Sequence, residues 1–278
     1  MKTKIAIFTA ALSLVVVSCK KRFDNDMSAL MNYKIETAFD EMTNISDQAI
    51  TGNMVYYKVG EIITTKPGEK PVTLKTPCNV IITLDTVNSI KTVTVDYGTS
   101  NCDCNDGKTR RGKIVTIFTG GQYFAPGTVI THVPVDYYVN DIKYEGTKTV
   151  TNMGLNGTGQ PYFNVQIDGT ATKTDGEVVT YTSTRVRTWV QGYNTPTDRF
   201  DDQYSISGNA SATFSNGGGY TAQTTNPLIV KVGCSFPVAG TLEMTPQNKP
   251  VRTVDYGQGT CDYAFTVTVN GVTYNFSI

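Results

Sequence analysis

Few residues in this chain combine the type and spacing that catalysis requires. The single histidine, His132, lies between Thr131 and Val133 in an alternating segment that is typical of a strand, which favours a structural imidazole over a catalytic base. The chain has no Gly-x-Ser-x-Gly nucleophile turn, no His-Glu-x-x-His motif and no phosphate-binding glycine loop. Asp96 and Asp255 recur in a shared motif, but a carboxylate directly before Tyr-Gly predicts a turn cap. We therefore expect no catalytic residues and no enzyme activity.

Metal and cofactor binding are not expected either. Cys102-Asp103-Cys104 brings two thiols together, but zinc usually needs four ligands and the chain has one histidine. The run Asn101–Gly107 alternates oxygen-bearing side chains, yet Asp106 and Gly112 stand where an EF-hand loop has Gly and Glu. The turn-forming tendency of Asn, Asp and Gly accounts for this run. We expect no metal and no cofactor.

The one tryptophan, Trp189, is the leading candidate for contact with a ligand. It alternates with Arg185 and Arg187 along a predicted strand, so these three side chains share one sheet face, and Val186 and Val190 lie on the other. A tryptophan flanked by arginines offers a stacking face and charged hydrogen-bond donors. Two interpretations stay open: the indole is exposed to a ligand, or the arginine stems shield it.

The N-terminus carries the most specific signal in the chain. Lys2 and Lys4 precede the uncharged run Ile5–Val17, whose 13 residues are too few to span a bilayer but suit the core of a signal peptide. The run ends in Val16-Val17-Ser18-Cys19, which resembles a bacterial lipobox, in which an aliphatic and a small residue precede the cysteine that becomes lipidated. An ordinary signal peptide with a chance cysteine is the alternative.

This N-terminus predicts a protein that is held at the outer membrane by lipid. We expect a signal peptide over residues 1–18 and a tether over residues 19–27, beginning with Cys19 that carries diacylglycerol and palmitate. Two or more acyl chains make such an anchor stable. Phe23–Asp26 resembles the acidic export signals of surface lipoproteins in Bacteroidota, although Lys20-Lys21-Arg22 departs from that pattern. The cell surface is therefore favoured over the periplasmic face.

The composition describes a globular chain that is rich in strand and turn residues. Of 278 residues, 39% are hydrophobic and 17% are charged, against about 25% charged in an average soluble domain. The formal net charge is zero, and basic residues cluster only at Lys20–Arg22 and Lys108–Lys113. A nucleic-acid binder needs a concentrated basic face. We expect no nucleic-acid partner.

One amphipathic helix is predicted over residues 28–52, with Asp26 as N-cap and Gly52 as stop. Its apolar positions recur at spacings of four and three and so share one face: Met31, Ile35, Ala38, Met42, Ile45 and Ala49. Acidic residues are predicted on the other side: Glu36, Asp40, Glu41 and Asp47. We expect the apolar face to pack against the chain's own sheet, and docking of a partner helix is the alternative.

The alternation and turn residues of the segment 53–278 predict a β-rich body. Segments such as Tyr162–Ile167 alternate apolar and polar residues, as half-buried strands do. Turn residues that tolerate positive φ separate the segments, for example Asn140-Asp141, Thr174-Asp175-Gly176 and Asn270-Gly271. Connections this short force neighbouring strands to be antiparallel. The expected fold is mainly β, an antiparallel meander or sandwich with one N-terminal amphipathic helix.

An internal repeat is the clearest feature of the body. Val95-Asp96-Tyr97-Gly98 is followed by Cys102-Asp103, and Val254-Asp255-Tyr256-Gly257 is followed at the same offset by Cys261-Asp262. Another cysteine, Cys78 or Cys234, precedes each copy. The repeat predicts two related modules, near residues 70–120 and 228–278.

The cysteines predict two disulfides in the exported protein. Six are present, and lipid is expected to take Cys19. We predict Cys234 with Cys261, and Cys78 with either Cys102 or Cys104. A closed loop of about 25 residues is worth roughly 3–4 kcal/mol in the chain-entropy model. The remaining cysteine is either free or paired with another chain.

These segments together resemble a family of Bacteroidota outer-membrane lipoproteins with repeated DYG…CD motifs. The resemblance rests on VDYGTSNCDCNDGKTRRGKI (95–114), YFAPGTVITHVPVDYYVNDIKYEGTKTVTN (123–152), VDYGQGTCD (254–262) and NGVTY (270–274). It covers most of the mature chain. The family has no assigned activity, so the resemblance implies location and fold class and does not imply a reaction.

The leading functional hypothesis is a non-enzymatic accessory or scaffold subunit of a cell-envelope assembly, bound to the membrane through Cys19 and to an outer-membrane protein. Long strands rich in Thr and Tyr can accept a partner strand. The alternative is a module that binds a glycan or small ligand, or an adhesin. Sixteen tyrosines could supply stacking faces for sugars, with Trp189, Arg185 and Arg187 as the predicted contacts.

Overall fold

The computed structural model describes residues 28–51, 72–73, 80–87, 90–104, 106–120, 125–195, 198, 200–234, 236–262 and 264–277. The predicted signal peptide, the tether with Cys19, both predicted helix caps and Cys78 lie outside these residues. Within them the one helix, α1, covers Ser28–Thr51, which corresponds to the helix predicted over 28–52. Strands make up most of the rest: β1 (Val72–Thr73), β2 (Ile81–Val87), β3 (Ile90–Asp96), β4 (Cys102–Asp103), β5 (Thr109–Thr119), β6 (Val129–Val139), β7 (Ile142–Leu155), β8 (Pro161–Thr172), β9 (Val178–Gln191), β10 (Gln203–Phe214), β11 (Gly219–Lys231), β12 (Ala239–Pro246), β13 (Arg252–Gln258), β14 (Ala264–Val269) and β15 (Val272–Ser277).

The fifteen described strands belong to one antiparallel sheet. Fourteen of them pair in chain order, and β4 pairs with β5 alone. Tight turns connect neighbours: Asn140 and Asp141, with φ of 48° and 63°, join β6 to β7, and Asn270 and Gly271, with φ of 50° and 77°, join β14 to β15. These are residues that tolerate the left-handed region. The prediction of a mainly β, antiparallel fold with one helix is confirmed for the described residues.

Helix α1 lies across one side of the sheet, which we call the inner face. The apolar residues of the helix are buried against it: Met31, Ile35, Ala38, Phe39, Met42, Ile45 and Ala49. Near the start of α1, the ring of Tyr33 lies 4.9 Å from that of Phe236, beyond β11. Near its end, Ser46 Oγ lies 2.6 Å from Thr116 Oγ1 on β5. The helix therefore runs from β5 to the residues that follow β11 and packs on the chain's own strands.

Side chains alternate between the inner face and the opposite, outer face, as the pleat of a strand requires. Strand β9 shows the pattern most plainly. Its inner residues are buried: Val179, Tyr181, Ser183 and Arg185. Its outer residues are exposed: Thr180, Thr182, Thr184 and Val186. Threonine thus marks the outer face of this strand, and larger side chains fill the inner face beneath α1.

The two copies of the repeated motif fold in the same way. Asp96 Oδ1 accepts a hydrogen bond from the Gly98 amide at 2.8 Å, and Asp255 Oδ1 accepts one from the Gly257 amide at 2.8 Å. Both glycines have positive φ, 81° and 90°, where a side chain would be strained. The predicted role of the two aspartates as turn caps is confirmed.

Each motif also closes a hairpin and leads into the next strand of the sheet. In the first copy the hairpin is β2–β3 and the next long strand is β5, and in the second copy the hairpin is β12–β13 and the next strand is β14. Tyr97 and Tyr256 are both buried. Their rings lie 6.1 Å from Tyr137 and 5.1 Å from Phe236. The repeat in sequence is therefore matched by a repeated arrangement of elements.

Candidate functional site

Arg185, a predicted ligand contact, lies on the inner face and is buried. Its guanidinium donates to Glu36 Oε1 on α1 through Nη2 and, at 3.1 Å, through Nε. The Tyr181 hydroxyl donates to the same oxygen at 2.6 Å. Burial alone would lower the pKa of Arg185, but Glu36 and Tyr181 raise it above its usual value. Arg185 therefore stays charged and holds the helix on the sheet.

Trp189 shares the inner face with Arg185, as its register predicts, but it is buried rather than exposed. Its Nε1 donates to Asp202 Oδ1 at 3.1 Å, and its ring stacks on Tyr204 with centroids 5.8 Å apart. Of the two interpretations that the sequence left open, the burial of Trp189 agrees with a shielded indole, with Asp202 and Tyr204 as its contacts. Alternation correctly groups residues on a face, but which face is covered depends on where α1 packs.

Arg187 is the third predicted contact, and it is half-buried. Its guanidinium lies 4.8 Å from the ring centre of Phe163 and 5.1 Å from that of Tyr204, within the range of cation–π attraction. The structure thus brings Arg185, Arg187 and Trp189 together on one face. Their contacts are internal ones, with aromatic rings and with the helix.

Ion pairs border the apolar contact between α1 and the sheet. Asp40 Oδ1 lies 2.6 Å from Lys148 Nζ, whose side chain is buried on β7. Glu41 Oε2 lies 2.8 Å from Arg110 Nη2 on β5, and Glu41 also pairs with Lys108. The prediction that the acidic residues lie away from the sheet is wrong for these positions. Acidic side chains at the edges of the apolar stripe reach down to basic residues of the inner face.

His132 is buried on β6 beneath α1. Its Nδ1 lies 2.8 Å from Thr116 Oγ1 and its Nε2 lies 3.1 Å from Thr43 Oγ1. Burial, reinforced by the positive charges of Lys148 and Arg187, lowers the pKa of His132 well below its usual value. The imidazole is therefore neutral and fully engaged in the contact between helix and sheet, which is the structural role predicted for it.

The cysteines of the described chain are in two states. Cys234 and Cys261 form a disulfide that closes a separation of 27 residues, as predicted. Cys102 is disulfide-bonded, and Cys78, its predicted partner, lies outside the described residues. Cys104 is a thiol, and its Sγ lies 3.5 Å from the Cys102 carbonyl oxygen. Burial raises the pKa of Cys104, so it stays protonated at neutral pH.

The outer face carries a groove of about 400 Å³ across β9, β10, β11 and β12, which we call the outer groove. Eight outward side chains line it: Thr182, Thr184, Asn209, Ser211, Thr221, Gln223, Glu243 and Thr245. The residues between them that also line it are Ser183, Ala210 and Ala222. The eight outward side chains are all polar, and one of them, Glu243, is charged. This is the candidate functional site.

Strand register arranges the lining residues in two parallel rows. Pairing across the four strands aligns one row as Thr184, Asn209, Gln223 and Glu243. The second row is Thr182, Ser211, Thr221 and Thr245. Neighbouring strands lie about 4.8 Å apart, so each row offers a polar group at that interval.

A backbone irregularity lies at one end of the groove. Gly208 has φ of 143°, and the register between β10 and β11 shifts between Ile206 and Asn209. A Cβ at Gly208 would lie 2.1 Å from the Thr184 carbonyl oxygen, so β9 and β10 approach closely there. Bulges of this kind redirect side chains near binding sites. The conformation of Gly208 therefore fixes the position of Asn209, whose side chain lies in the groove.

Most of the polar groups in the outer groove are available to a ligand. Thr182 Oγ1 and Ser211 Oγ are 2.8 Å apart and bond each other. Among the described residues, the side chains of Asn209, Gln223 and Glu243 have no hydrogen-bond partner. Sequence reasoning missed this site. The signal was present as Thr, Ser, Asn and Gln at alternate positions of β9–β12, but no motif marks it.

Within the described residues, no three His, Cys, Asp or Glu side chains come together in an arrangement that could hold a metal ion. In the same part of the chain no helix combines the length and hydropathy of a membrane span. Compared with known protein families, with curated proteins and with solved structures, the chain gives no significant match.

Proposed function

We propose that the protein is a non-catalytic, lipid-anchored binding protein of the bacterial outer membrane, attached through Cys19 and displayed at the cell surface. The export and lipidation signal of residues 1–19 supports this location, as does the resemblance to Bacteroidota lipoproteins. In this role it serves as an accessory or scaffold subunit of an envelope assembly, with an outer-membrane protein as partner.

The observation that carries the proposal is the difference between the two faces of the sheet. The inner face is covered by α1, which is held by buried apolar contacts and by ion pairs to Lys148, Arg110 and Arg185. The outer face has a polar groove whose side chains are open to solvent. A partner or ligand therefore meets the outer face, and the outer groove is the place with shape and hydrogen-bonding capacity for it.

We infer further that the body is a meander. Each strand from β5 to β14 pairs with the strand before it and the strand after it in the chain, and short turns make most of these connections. Such a sheet offers one continuous outer surface. The outer groove lies within it, with paired strands on both sides.

The anchor also limits where this surface can lie. Lipidated Cys19 precedes the start of α1 at Ser28 by nine residues, and an extended chain spans at most about 3.3–3.6 Å per residue. The start of the helix is therefore within about 30 Å of the lipid. Ion pairs fix α1 to the sheet, so the whole body is held near the membrane as one unit.

The experiment is co-purification of the tagged full chain from native membranes in mild detergent, with metabolic labelling by palmitate. Label should enter the wild type and be absent from Cys19→Ser. A partner recovered with the wild type should be lost from Thr221→Arg, which fills the outer groove. It should be retained by the matched control Thr119→Arg, an exposed outer-face threonine on β5 away from the outer groove.

Either of two results would overturn the proposal. If the wild-type protein carries no palmitate, the lipid anchor on which the proposed location depends does not exist. If Thr221→Arg and the wild type retain the partner equally, the outer groove does not bind it.

A glycan-binding module or adhesin is the second candidate, and the chemistry of the outer groove favours it. Neutral hydroxyl and amide groups with a single carboxylate suit a ligand that is itself made of hydroxyl groups.

A further inference from the structure

We propose that the ligand of the outer groove is a neutral, unbranched oligosaccharide that lies across β9–β12. The inference rests on the glycan-binding alternative within the proposed function, since it names the class of ligand for the same surface.

The lining chemistry selects for hydroxyl groups. Threonine and serine hydroxyls both donate and accept, and the amides of Asn209 and Gln223 add donors and acceptors that have no protein partner among the described residues. The carboxylate of Glu243 accepts two sugar hydroxyls in the manner of other charge-assisted hydrogen bonds. A ligand with many hydroxyls can satisfy all of these groups at once.

Charge argues against an anionic ligand. The lining set contains Glu243 and no basic side chain. A phosphate, sulfate or nucleic acid would approach a carboxylate with no cation to offset the repulsion. An apolar ligand would strip water from polar groups and leave them without hydrogen bonds, which costs free energy for each group.

The position of the groove argues against a peptide strand. Peptides that extend a sheet bind at an edge, where backbone groups are unpaired. The four strands of the outer groove each have paired strands on both sides, so their backbone groups are already used in the sheet. A ligand here must be recognised by side chains.

The two rows indicate how the oligosaccharide lies. Thr184, Asn209, Gln223 and Glu243 form a line that crosses the strands, with a polar group about every 4.8 Å. The second row runs beside it. A linear chain of sugar rings along the rows meets repeated polar groups on both sides, and a branched or globular sugar does not.

Binding should be weak and specific, because the groove is open and no aromatic ring lines it. Trp189 is on the inner face, so its fluorescence does not report directly on this site. The test is surface plasmon resonance on the immobilised full chain in detergent. The probes are the neutral hexasaccharides maltohexaose, cellohexaose, xylohexaose, mannohexaose and chitohexaose, with hexagalacturonate as the anionic comparison.

At least one neutral hexasaccharide should bind saturably. Glu243→Gln should weaken that binding by about tenfold or more, since it removes a charged acceptor while keeping the shape. Thr221→Arg should abolish it. The matched controls Glu145→Gln on β7 and Thr119→Arg on β5, both exposed on the outer face, should bind as the wild type does. Equal melting temperatures of all five proteins separate loss of binding from loss of folding.

Two outcomes overturn the inference. One is that no neutral hexasaccharide binds, whether or not hexagalacturonate does, and the other is that Thr221→Arg binds as well as the wild type. If the Thr221→Arg variant also loses a protein partner in co-purification while no sugar binds, the inference fails and the proposed function stands. If neither sugar nor partner depends on the groove, both fail.

Discussion

Arg185 and Glu36 illustrate how charged residues are accommodated inside this protein. The side chain of Arg185 is 6% exposed and that of Glu36 is 20% exposed, so the pair is largely removed from water. Removal of one partner from such a pair leaves a buried charge without compensation, which costs more than the pair contributes when intact. For the same reason, removal of Asp40 would leave the buried charge of Lys148 without compensation.

The Glu36→Ala variant should be destabilised by about 3 kcal/mol, because Arg185 would remain buried without its acceptor. Urea denaturation measures the change in the free energy of unfolding. The control is Glu145→Ala, which removes an exposed partner of Lys143 and should cost less than about 1 kcal/mol. Equal losses for the two variants would contradict the structural role of the buried pair.

His132 should make stability depend on pH below neutrality. Its pKa is lowered in the folded protein, whereas an unfolded histidine has a pKa near 6.5. As pH falls through that value the unfolded state takes up a proton that the folded state does not. The free energy of unfolding then decreases by at most about 1.4 kcal/mol per pH unit from this group.

The measurement for His132 is NMR of the imidazole ring protons as a function of pH. The chain has one histidine, so the signal is unambiguous. In the folded protein its titration midpoint should lie well below 6.5, and in urea it should return to about 6.5. A midpoint near 6.5 in the folded protein would contradict the buried, neutral imidazole.

Residue roles were predictable from sequence only where local geometry determines them. Asp96 and Asp255 cap turns that their own neighbours form, so spacing along the chain was sufficient. Trp189 and Arg185 were correctly placed on one face, since strand alternation is local. Their burial was not predictable, because it depends on α1, which lies about 140 residues earlier in the chain.

At the scale of elements, α1 is held by both its apolar stripe and the ion pairs along its edges. The stripe follows from 3.6-residue periodicity and was predictable. Phe39 was missed, although it is fully buried against the sheet near Gly169. The partners of Asp40 and Glu41 were missed for a related reason, since strands from distant parts of the chain supply them.

The disulfide Cys234–Cys261 stabilises the second copy of the repeat. It closes a separation of 27 residues, for which the chain-entropy model gives about 3.5 kcal/mol. The double variant Cys234→Ser/Cys261→Ser should lose about that much free energy of unfolding, measured by urea denaturation. The control Cys104→Ser changes a thiol outside this disulfide and should cost less than about 1 kcal/mol. A larger loss for the control than for the double variant would contradict this assignment.

At the scale of the whole molecule, the two faces of the sheet differ in their exposure to solvent. Its inner face is filled by α1, and its outer face carries the outer groove. The strands and their antiparallel order were predictable from turns and alternation. The groove was not, because it requires the register of β9–β12 and the bulge at Gly208, and no local pattern specifies either.

The most direct test of the outer groove as the binding surface is site-specific photo-crosslinking in intact cells. A benzophenone amino acid at position 253 lies on β13 beside Glu243, at the rim of the groove, and one at position 119 lies on the same face on β5, away from the groove. A light-dependent adduct with an envelope component, a glycan or a protein, is expected from position 253 and none from position 119. No adduct from position 253, or equal adducts from both positions, would contradict the outer groove as the binding surface.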